Sequence, residues 1–298
     1  MNASPRTGSR RLLQAVLAVG LVVGVSACGG GGAAAPSPAS TVHGSTGVAP
    51  PASNGSDVPE QPSTTTEPPP ASSAPAPGRY RLPDSLRGVE WTRLPTTRRL
   101  VALTFDAGSN ADGLPSILAT LHGQHVSRAT FFLTGDWVDS YPDLARRVAA
   151  RFSVGNHTID HPHLPALSNR QVVHQVLGAR RTITEVTNVD TRPLFRFPYG
   201  DSSPGALRIV NDQGYVSIRW TVDTLGWEGA SAGITTASIL TRVLAQLQPG
   251  EIVLMHVGSS PDHSTPDASA LPSLIEAIRA HGYAFTTVDR FTGRPAAM

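Results

Sequence analysis

The sequence predicts an α/β domain over residues 79–298, in which helices cover a parallel β-sheet. Three observations support this fold class. Short, almost continuously apolar runs recur along these residues, helical segments with recognisable ends separate them, and polar residues suited to catalysis follow the runs. Continuous apolar strands are typical of parallel sheets, which are buried on both faces. The repeats suit a barrel, complete or not, and an open doubly wound sheet is the alternative.

The predicted strands are the apolar runs richest in β-branched and aromatic residues. In a barrel or an open sheet, chemistry belongs at the carboxyl ends of the strands. The predicted strands are Leu100–Phe105, Ala129–Leu133, Arg151–Val154, Leu194–Phe197, Val216–Val222, Ile252–Met255 and Ala284–Val288.

Four helices are predicted from their termini and apolar spacing. Ser168 can cap the first, and Ser203 followed by Pro204 is typical of a helix start, with Gly214 after the last turn. The other two helices end before Pro249-Gly250 and Gly282. Their apolar positions are Leu240, Val243, Leu244 and Leu247 in the third helix and Leu271, Leu274, Ile275 and Ile278 in the fourth.

Residues 1–28 are predicted to be a lipoprotein signal peptide. A basic start precedes the apolar run 12–27, which is shorter than the roughly 20 residues of a bilayer-spanning helix. The run ends in small residues before Cys28 and so resembles a bacterial lipobox, which implies export and lipidation of Cys28 at the extracytoplasmic face of the cell membrane. An ordinary cleaved signal, with Cys28 incidental, and an uncleaved anchor are the alternatives.

Residues 29–78 are predicted to be a disordered linker. Gly, Ala, Pro, Ser and Thr dominate this segment, which cannot bury enough apolar surface to offset its conformational entropy. It would tether the folded domain within reach of a polymer, or act as a spacer whose length is not tuned.

Charge and cysteine content exclude some classes of function. The net charge is +2 and no block of five or more Lys and Arg residues appears, so no nucleic-acid partner is predicted. The chain has 1 Cys, which excludes an intramolecular disulfide framework. We expect a monomer.

Polar residues suited to catalysis follow five of the predicted strands. A single histidine at a strand end is more often structural than catalytic, but five strand ends carrying such residues indicate a site. The residues are Asp106, then His157 and His161, then Arg196 and Tyr199, then Asp223 and Trp227, and finally His256.

His157 and His161 are four residues apart, a spacing that places two side chains on one face of a helical turn. Neutral imidazoles at that spacing can bind an ion such as Zn²⁺, although the pair alone is a weak signal. Because Pro162 interrupts the turn, His163 is predicted to lie in a supporting loop.

Together these residues resemble the five ordered motifs of the NodB-homology polysaccharide deacetylases, which form carbohydrate esterase family 4. The resemblance extends over residues 100–257 and implies a distorted (β/α) barrel. It also implies metal-dependent removal of N-acetyl groups from an amino-sugar polymer. The matching motifs are Thr104-Phe105-Asp106-Ala107-Gly108, His157-Thr158-x-x-His161, Arg196-x-Pro198-Tyr199, Asp223-x-x-x-Trp227 and Leu254-x-His256.

The resemblance also implies a role for each residue. A general base, a Lewis acid and a separate general acid suit the hydrolysis of an amide, which is a poor electrophile with a poor leaving group. Asp106 would be the base, Arg196 would orient it and hold it ionised, and His256 would be the acid. His157 and His161 would bind a divalent metal, Zn²⁺ by preference or Co²⁺. The Tyr199 backbone N–H would stabilise the oxyanion, while Leu254, Trp227 and Asp223 would line the substrate pocket.

Two positions depart from the family pattern. Ala107 replaces an aspartate that binds the metal, and Gly226 replaces an aspartate that pairs with the catalytic histidine. Three explanations are open: another oxygen ligand substitutes, the metal is bound weakly, or catalysis is lost and the domain only binds sugar. The candidate substitutes are Asn110, Asp112, Asp160 and Asp106.

Export next to the cell wall favours peptidoglycan as the substrate, with chitin-type oligomers and O-acetyl esters as chemically similar options. The alternatives from other classes are a catalytically impaired glycan-binding lipoprotein and a structural envelope protein. The five ordered motifs argue against the last.

Overall fold

The computed structural model describes residues 80–259 and 262–293, and within them nine parallel strands form one curled sheet. The predicted signal peptide with Cys28 and the predicted linker lie outside the described residues. The strands are β1 (Glu90–Trp91), β2 (Leu100–Ala107), β3 (Thr130–Leu133), β4 (Ser153–Asn156), β5 (Leu194–Phe195), β6 (Val216–Ile218), β7 (Val222–Asp223), β8 (Glu251–His256) and β9 (Ala284–Phe285).

The strand order identifies a barrel. Hydrogen-bonded neighbours run β1-β6-β5-β4-β3-β2-β8-β7, and β9 pairs with the start of β2. The sheet therefore follows the chain around a ring, and β6 and β7, near its two ends, are joined only by residues 219–221. A doubly wound sheet would instead reverse its order at a switch point. The predicted distorted barrel is confirmed.

The prediction of one strand over Val216–Val222 is wrong. The run divides into β6, which pairs with β5, and β7, which pairs with β8. Across the break, Arg219 N donates to Trp91 O at 2.8 Å and Thr221 N donates to Ile252 O at 2.9 Å. The chain changes neighbours here because residues 216–223 connect the two ends of the curled sheet, one at β5 and the other at β8. β1 was not predicted, and β4 and β9 have ends different from those expected.

Seven α-helices cover the outside of the sheet in the described part of the chain, and no helix there is long and apolar enough to cross a membrane. The four predicted helices are confirmed, although the third ends at Leu244 and leaves Leu247 outside it. Ser168 forms a capping box with Gln171, and Ser203 Oγ accepts a hydrogen bond from Ala206 N. The helices are α1 (Leu114–Gly123), α2 (Gly135–Ser140), α3 (Pro142–Ala149), α4 (Asn169–Thr187), α5 (Pro204–Asp212), α6 (Thr236–Leu244) and α7 (Pro266–Ala280).

Side chains along β2 point alternately to two apolar cores, one beneath the helices and one inside the barrel. This alternation also determines which residues of β2 face the interior of the barrel. Phe105 and Ala107 belong to the apolar cluster beneath the helices, whereas Ala102 belongs to the cluster inside the barrel. Because side chains alternate along a strand, Thr104 and Asp106 follow Ala102 on the inner face. Apolar residues of the segment 82–94 fill the interior of the barrel near the amino ends of the strands. Polar inner-face residues such as Asp106 therefore lie at the carboxyl ends of the strands.

Candidate active site

The carboxyl ends of the strands surround one cavity of about 540 Å³. Asp106 on β2 is the register partner of His256 on the neighbouring β8, and His157 directly follows β4. Arg196, which directly follows β5, is buried beneath the cavity. The side chains around the cavity include Asp106, His157, His161, Tyr199, Asp223, Trp227, Leu254 and His256. The structure thus brings the residues singled out from the sequence to one place.

Arg196 is fully buried and its guanidinium donates four hydrogen bonds. Nη1 donates to Asp106 Oδ1 at 2.7 Å and Nη2 donates to Thr104 Oγ1 at 2.9 Å. Nε donates to Ile218 O at 3.1 Å, and Nη2 also donates to Arg219 O at 3.1 Å. Arg196 therefore orients Asp106 and, with the same group, satisfies two carbonyls at the break between β6 and β7.

His157 is held in one tautomer by the backbone. Its Nδ1 lies 2.8 Å from Arg196 O, an acceptor only, so Nδ1 carries the proton and donates. Nε2 is then a free lone pair 3.4 Å from Asp106 Oδ2. Burial lowers the pKa of His157 to about 3, which keeps the imidazole neutral at pH 7. This is the arrangement that metal-binding histidines adopt.

The prediction of a helical turn between His157 and His161 is wrong. The segment is an irregular loop with left-handed backbone at Thr158 (φ 71°) and His161 (φ 61°). The loop still brings the two imidazole rings to 4.7 Å between centroids. Burial lowers the pKa of His161 to about 4, so both rings are neutral at pH 7.

Gln175 on α4 holds this histidine loop in place. Its Oε1 accepts a hydrogen bond from Ile159 N at 2.9 Å, and its Nε2 donates to Asp160 Oδ1 at 2.9 Å. Gln175 could not be predicted from the sequence, because its role depends on the packing of α4 against the loop.

The side chains present fit a metal ion only in part. His157 and His161 are suitable ligands, but the described residues contain no group of three or more His, Cys, Asp or Glu that could hold a metal ion. Catalytic zinc sites ordinarily use three protein ligands. The candidate substitutes contact other partners: Asn110 Nδ2 donates to Ser259 O at 2.6 Å, Asp112 pairs with His263, and Asp160 accepts from Gln175. Asp106 is the candidate that remains beside a histidine.

His256 ends β8 with its side chain partly buried. Burial lowers the pKa of His256 to about 4, so the imidazole is neutral at pH 7. Its backbone N donates to Asp267 Oδ2 at 2.8 Å. Asp267, on α7, was not predicted from the sequence. The only sequence signal for it was that position 226, where the family pattern has an aspartate, is a glycine.

Aromatic rings line the cavity mouth. Tyr199 is 60% exposed, adopts φ 57°, and stacks on His163 with 4.1 Å between ring centroids. Trp227 is 44% exposed, and its Nε1 lies 3.4 Å from Asp223 Oδ2. Trp220 also lines the cavity and was not predicted. Exposed aromatic side chains grouped around a cleft are typical of a binding site.

Known proteins share this sequence pattern. A family model described as polysaccharide deacetylase matches residues 93–218. Peptidoglycan-N-acetylglucosamine deacetylase PgdA of Listeria monocytogenes is 34% identical over 72% of this chain, which spans only 43% of that relative's length. A chitooligosaccharide deacetylase of Sinorhizobium fredii is 37% identical over 61% of this chain and 87% of its own length. The chain belongs to the polysaccharide deacetylase family.

A solved structure also resembles this fold. It is a mutant, with restored enzymatic activity, of a carbohydrate esterase family 4 pseudoenzyme from Bacillus anthracis. The TM-score is 0.63 at 30% identity, covering 70% of this chain and 72% of that chain. The fold is therefore found both in a pseudoenzyme and in its reactivated form.

Proposed function

We propose that this protein is a hydrolase that removes N-acetyl groups from an amino-sugar polymer of the cell envelope, with peptidoglycan as the preferred substrate. The observation that carries the proposal is the convergence of Asp106, two neutral histidines and His256 on one cavity with exposed aromatic rings at its mouth. The deacetylase names of the relatives support the same class of reaction.

The residues divide the reaction between them. Asp106, oriented by Arg196, takes a proton from the water that attacks the acetamide carbon. The backbone N–H of Tyr199 stabilises the oxyanion that develops. As the carbon–nitrogen bond breaks, the protonated form of His256 donates its proton to the departing nitrogen. Asp106 then releases the proton that it took from water, so the products are acetate and the free amine of the sugar.

We also propose a divalent metal ion, Zn²⁺ by preference or Co²⁺, bound by His157 and His161. When bound, such an ion supplies Lewis-acid chemistry. The neutral imidazoles and the free Nε2 of His157 support this proposal. Because Ala107 offers no ligand, we expect weaker binding than at a site with three protein ligands.

The test is acetate release by the purified full chain from N-acetylglucosamine oligomers and from peptidoglycan. The assay runs after chelation and again with Zn²⁺ or Co²⁺ restored, with Asp106→Asn as the control. Metal-dependent release that Asp106→Asn loses supports the proposal. If neither substrate releases acetate with any metal, the enzyme proposal fails.

The second candidate function is glycan binding without catalysis. Ala107 and the resemblance to a pseudoenzyme favour it. It predicts that the oligomers bind equally well with and without a chelator, and that no acetate appears.

Export and lipid anchoring through Cys28 remain part of the proposal, because they would place the domain, as a monomer, beside the cell wall. Cys28→Ala should release the protein from the membrane fraction. Unchanged fractionation of this variant would contradict the anchor.

A further inference from the structure

We propose that Asp267 is the positioning residue for His256, and that its carboxylate orients the imidazole that protonates the leaving amine. The inference rests on the proposed function. It gives a role to a residue that lies outside the five sequence motifs, on the first turn of α7.

Asp267 approaches His256 from behind the cavity. It is only 2% exposed, and its Oδ2 accepts the hydrogen bond from His256 N at 2.8 Å. The same oxygen lies 3.9 Å from His256 Nδ1. The backbone contact thus fixes the carboxyl group close to Nδ1 of the His256 ring.

Two buried atoms in this contact are unsatisfied. In the part of the chain that the structure describes, His256 Nδ1 and Asp267 Oδ1 have no hydrogen-bond partner. Buried polar atoms are almost always paired. A separation of 3.9 Å is too long for a hydrogen bond, but catalytic hydrogen bonds are often long without substrate and shorten in the complex. A small rotation of the imidazole would pair the two side chains.

Gly226 makes this arrangement possible. A Cβ built on Gly226 would overlap the carboxyl group of Asp267. A side chain at position 226 and the observed Asp267 carboxyl therefore exclude each other. The aspartate that the family pattern leads one to expect at position 226 is absent, and a carboxyl group from α7 occupies that space instead.

The ionisation states of the two side chains bear on this role. Burial lowers the pKa of His256 to about 4, which is unfavourable for an acid at neutral pH. Burial raises the pKa of Asp267 to about 7, so a substantial fraction is ionised at neutral pH. An ionised carboxyl group beside an imidazole favours the protonated ring. The titratable and charged groups that act on the pKa of His256 in the structure, besides burial, are Asp106, His157, Arg196 and His161.

The experiment replaces Asp267 in the full chain. Asp267→Asn keeps the size of the side chain and an acceptor for His256 N, but removes the charge. We expect kcat for acetate release to fall about 10- to 100-fold with KM changed less than about threefold. The alkaline limb of the kcat profile should move to lower pH, because the imidazolium loses its neighbouring carboxylate. A purely structural role would leave that limb in place.

A rescue variant tests the geometry. Gly226 has no positive φ, so its backbone can carry aspartate. Gly226→Asp alone should be impaired by the overlap with Asp267, and Asp267→Ala alone by the loss of the carboxyl group. The double variant Gly226→Asp/Asp267→Ala should be at least tenfold more active than Asp267→Ala. A double variant no more active than Asp267→Ala, or an Asp267→Asn variant with wild-type kcat and pH profile, overturns the proposal.

NMR titration of the His256 imidazole nitrogens needs no substrate and separates the two proposals. In Asp267→Asn the His256 pKa should fall relative to the wild type, and an identical titration overturns the role of Asp267. Wild-type protein that releases no acetate overturns the proposed function, while the titration still decides whether Asp267 and His256 interact.

Discussion

At the scale of single residues, Arg196 is the most constrained side chain in the site. It is buried with one carboxylate as its counter-charge and three further acceptors. Breaking a buried ion pair by removing one partner ordinarily costs about 3–5 kcal/mol, because the other charge is left unpaired.

Arg196→Met should therefore lower the free energy of unfolding by about 3–5 kcal/mol. Arg219→Met is the matched control, since Arg219 is partly exposed and its nearest carboxylate, on Glu90, is 3.8 Å away. Such a surface pair is worth about 0–1 kcal/mol. Urea unfolding of both variants measures the difference, and equal losses would contradict the role assigned to Arg196.

Ala107 offers a second test at this scale. Its side chain is fully buried in the outer apolar cluster. Ala107→Asp should destabilise the metal-free protein by about 1–3 kcal/mol, because an unpaired polar group is buried. If the added carboxylate completes the ligand set, Zn²⁺ should raise the Tm of this variant more than that of the wild type. Ala107→Leu is the control, since it fills the site without offering a ligand. Equal Zn²⁺ effects on Tm in all three proteins would contradict the prediction.

At the scale of elements, helix α4 supports the histidine loop through Gln175. Gln175→Leu removes the partners of Ile159 N and Asp160. We expect acetate release or Zn²⁺ affinity to fall about 10- to 100-fold, as is typical when a group that orients a ligand is lost.

Gln171→Leu is the matched control, one turn earlier on the same helix. Gln171 belongs to the exposed capping box with Ser168. Loss of its hydrogen bond with Ser168 should cost about 0.5–1.5 kcal/mol of stability without changing activity. Activity and thermal unfolding of the two variants are measured together, and an equal loss of activity in both would show that α4 acts only through its stability.

The sequence predicted some elements of this fold better than others. β2 and β8 were predicted to within a few residues because both are continuous apolar runs buried on both faces. The break between β6 and β7 could not be predicted, since Ile218 and Val222 are equally apolar and only barrel closure separates them. Asp267 was missed for a similar reason. Its contact with His256 depends on how α7 packs against β8, and no local sequence pattern indicates that packing.

At the scale of the whole molecule, the end of the barrel opposite the cavity contains a buried acid. Glu251 begins β8, is fully buried, and its Oε1 has no hydrogen-bond partner in the described chain. Burial raises the pKa of Glu251 from 4.5 to about 7. Between those values the unfolded chain has lost the proton while the folded protein keeps it, so stability falls as the pH rises.

Glu251→Gln should remove this contribution. Relative to the variant, the wild type should lose up to about 3 kcal/mol of stability between pH 4.5 and 7, with no further change above pH 7. Urea unfolding of both proteins at pH 5 and pH 8 measures the difference. Exposed Glu276→Gln is the matched control. A constant difference between wild type and Glu251→Gln at the two pH values would contradict the prediction.

The two contacts that Arg196 makes with the carbonyls of Ile218 and Arg219 have a consequence for judging which members of this family are active. In a chain that lost catalysis, this arginine and its counter-charge Asp106 would still contribute to closing the barrel. Their presence in a sequence is therefore compatible with the fold alone and does not by itself indicate turnover. His256 differs, because its ring nitrogen Nδ1 has no hydrogen-bond partner within the described residues. Selection for stability alone would not retain it, and among these residues His256 is the better indicator of an active enzyme.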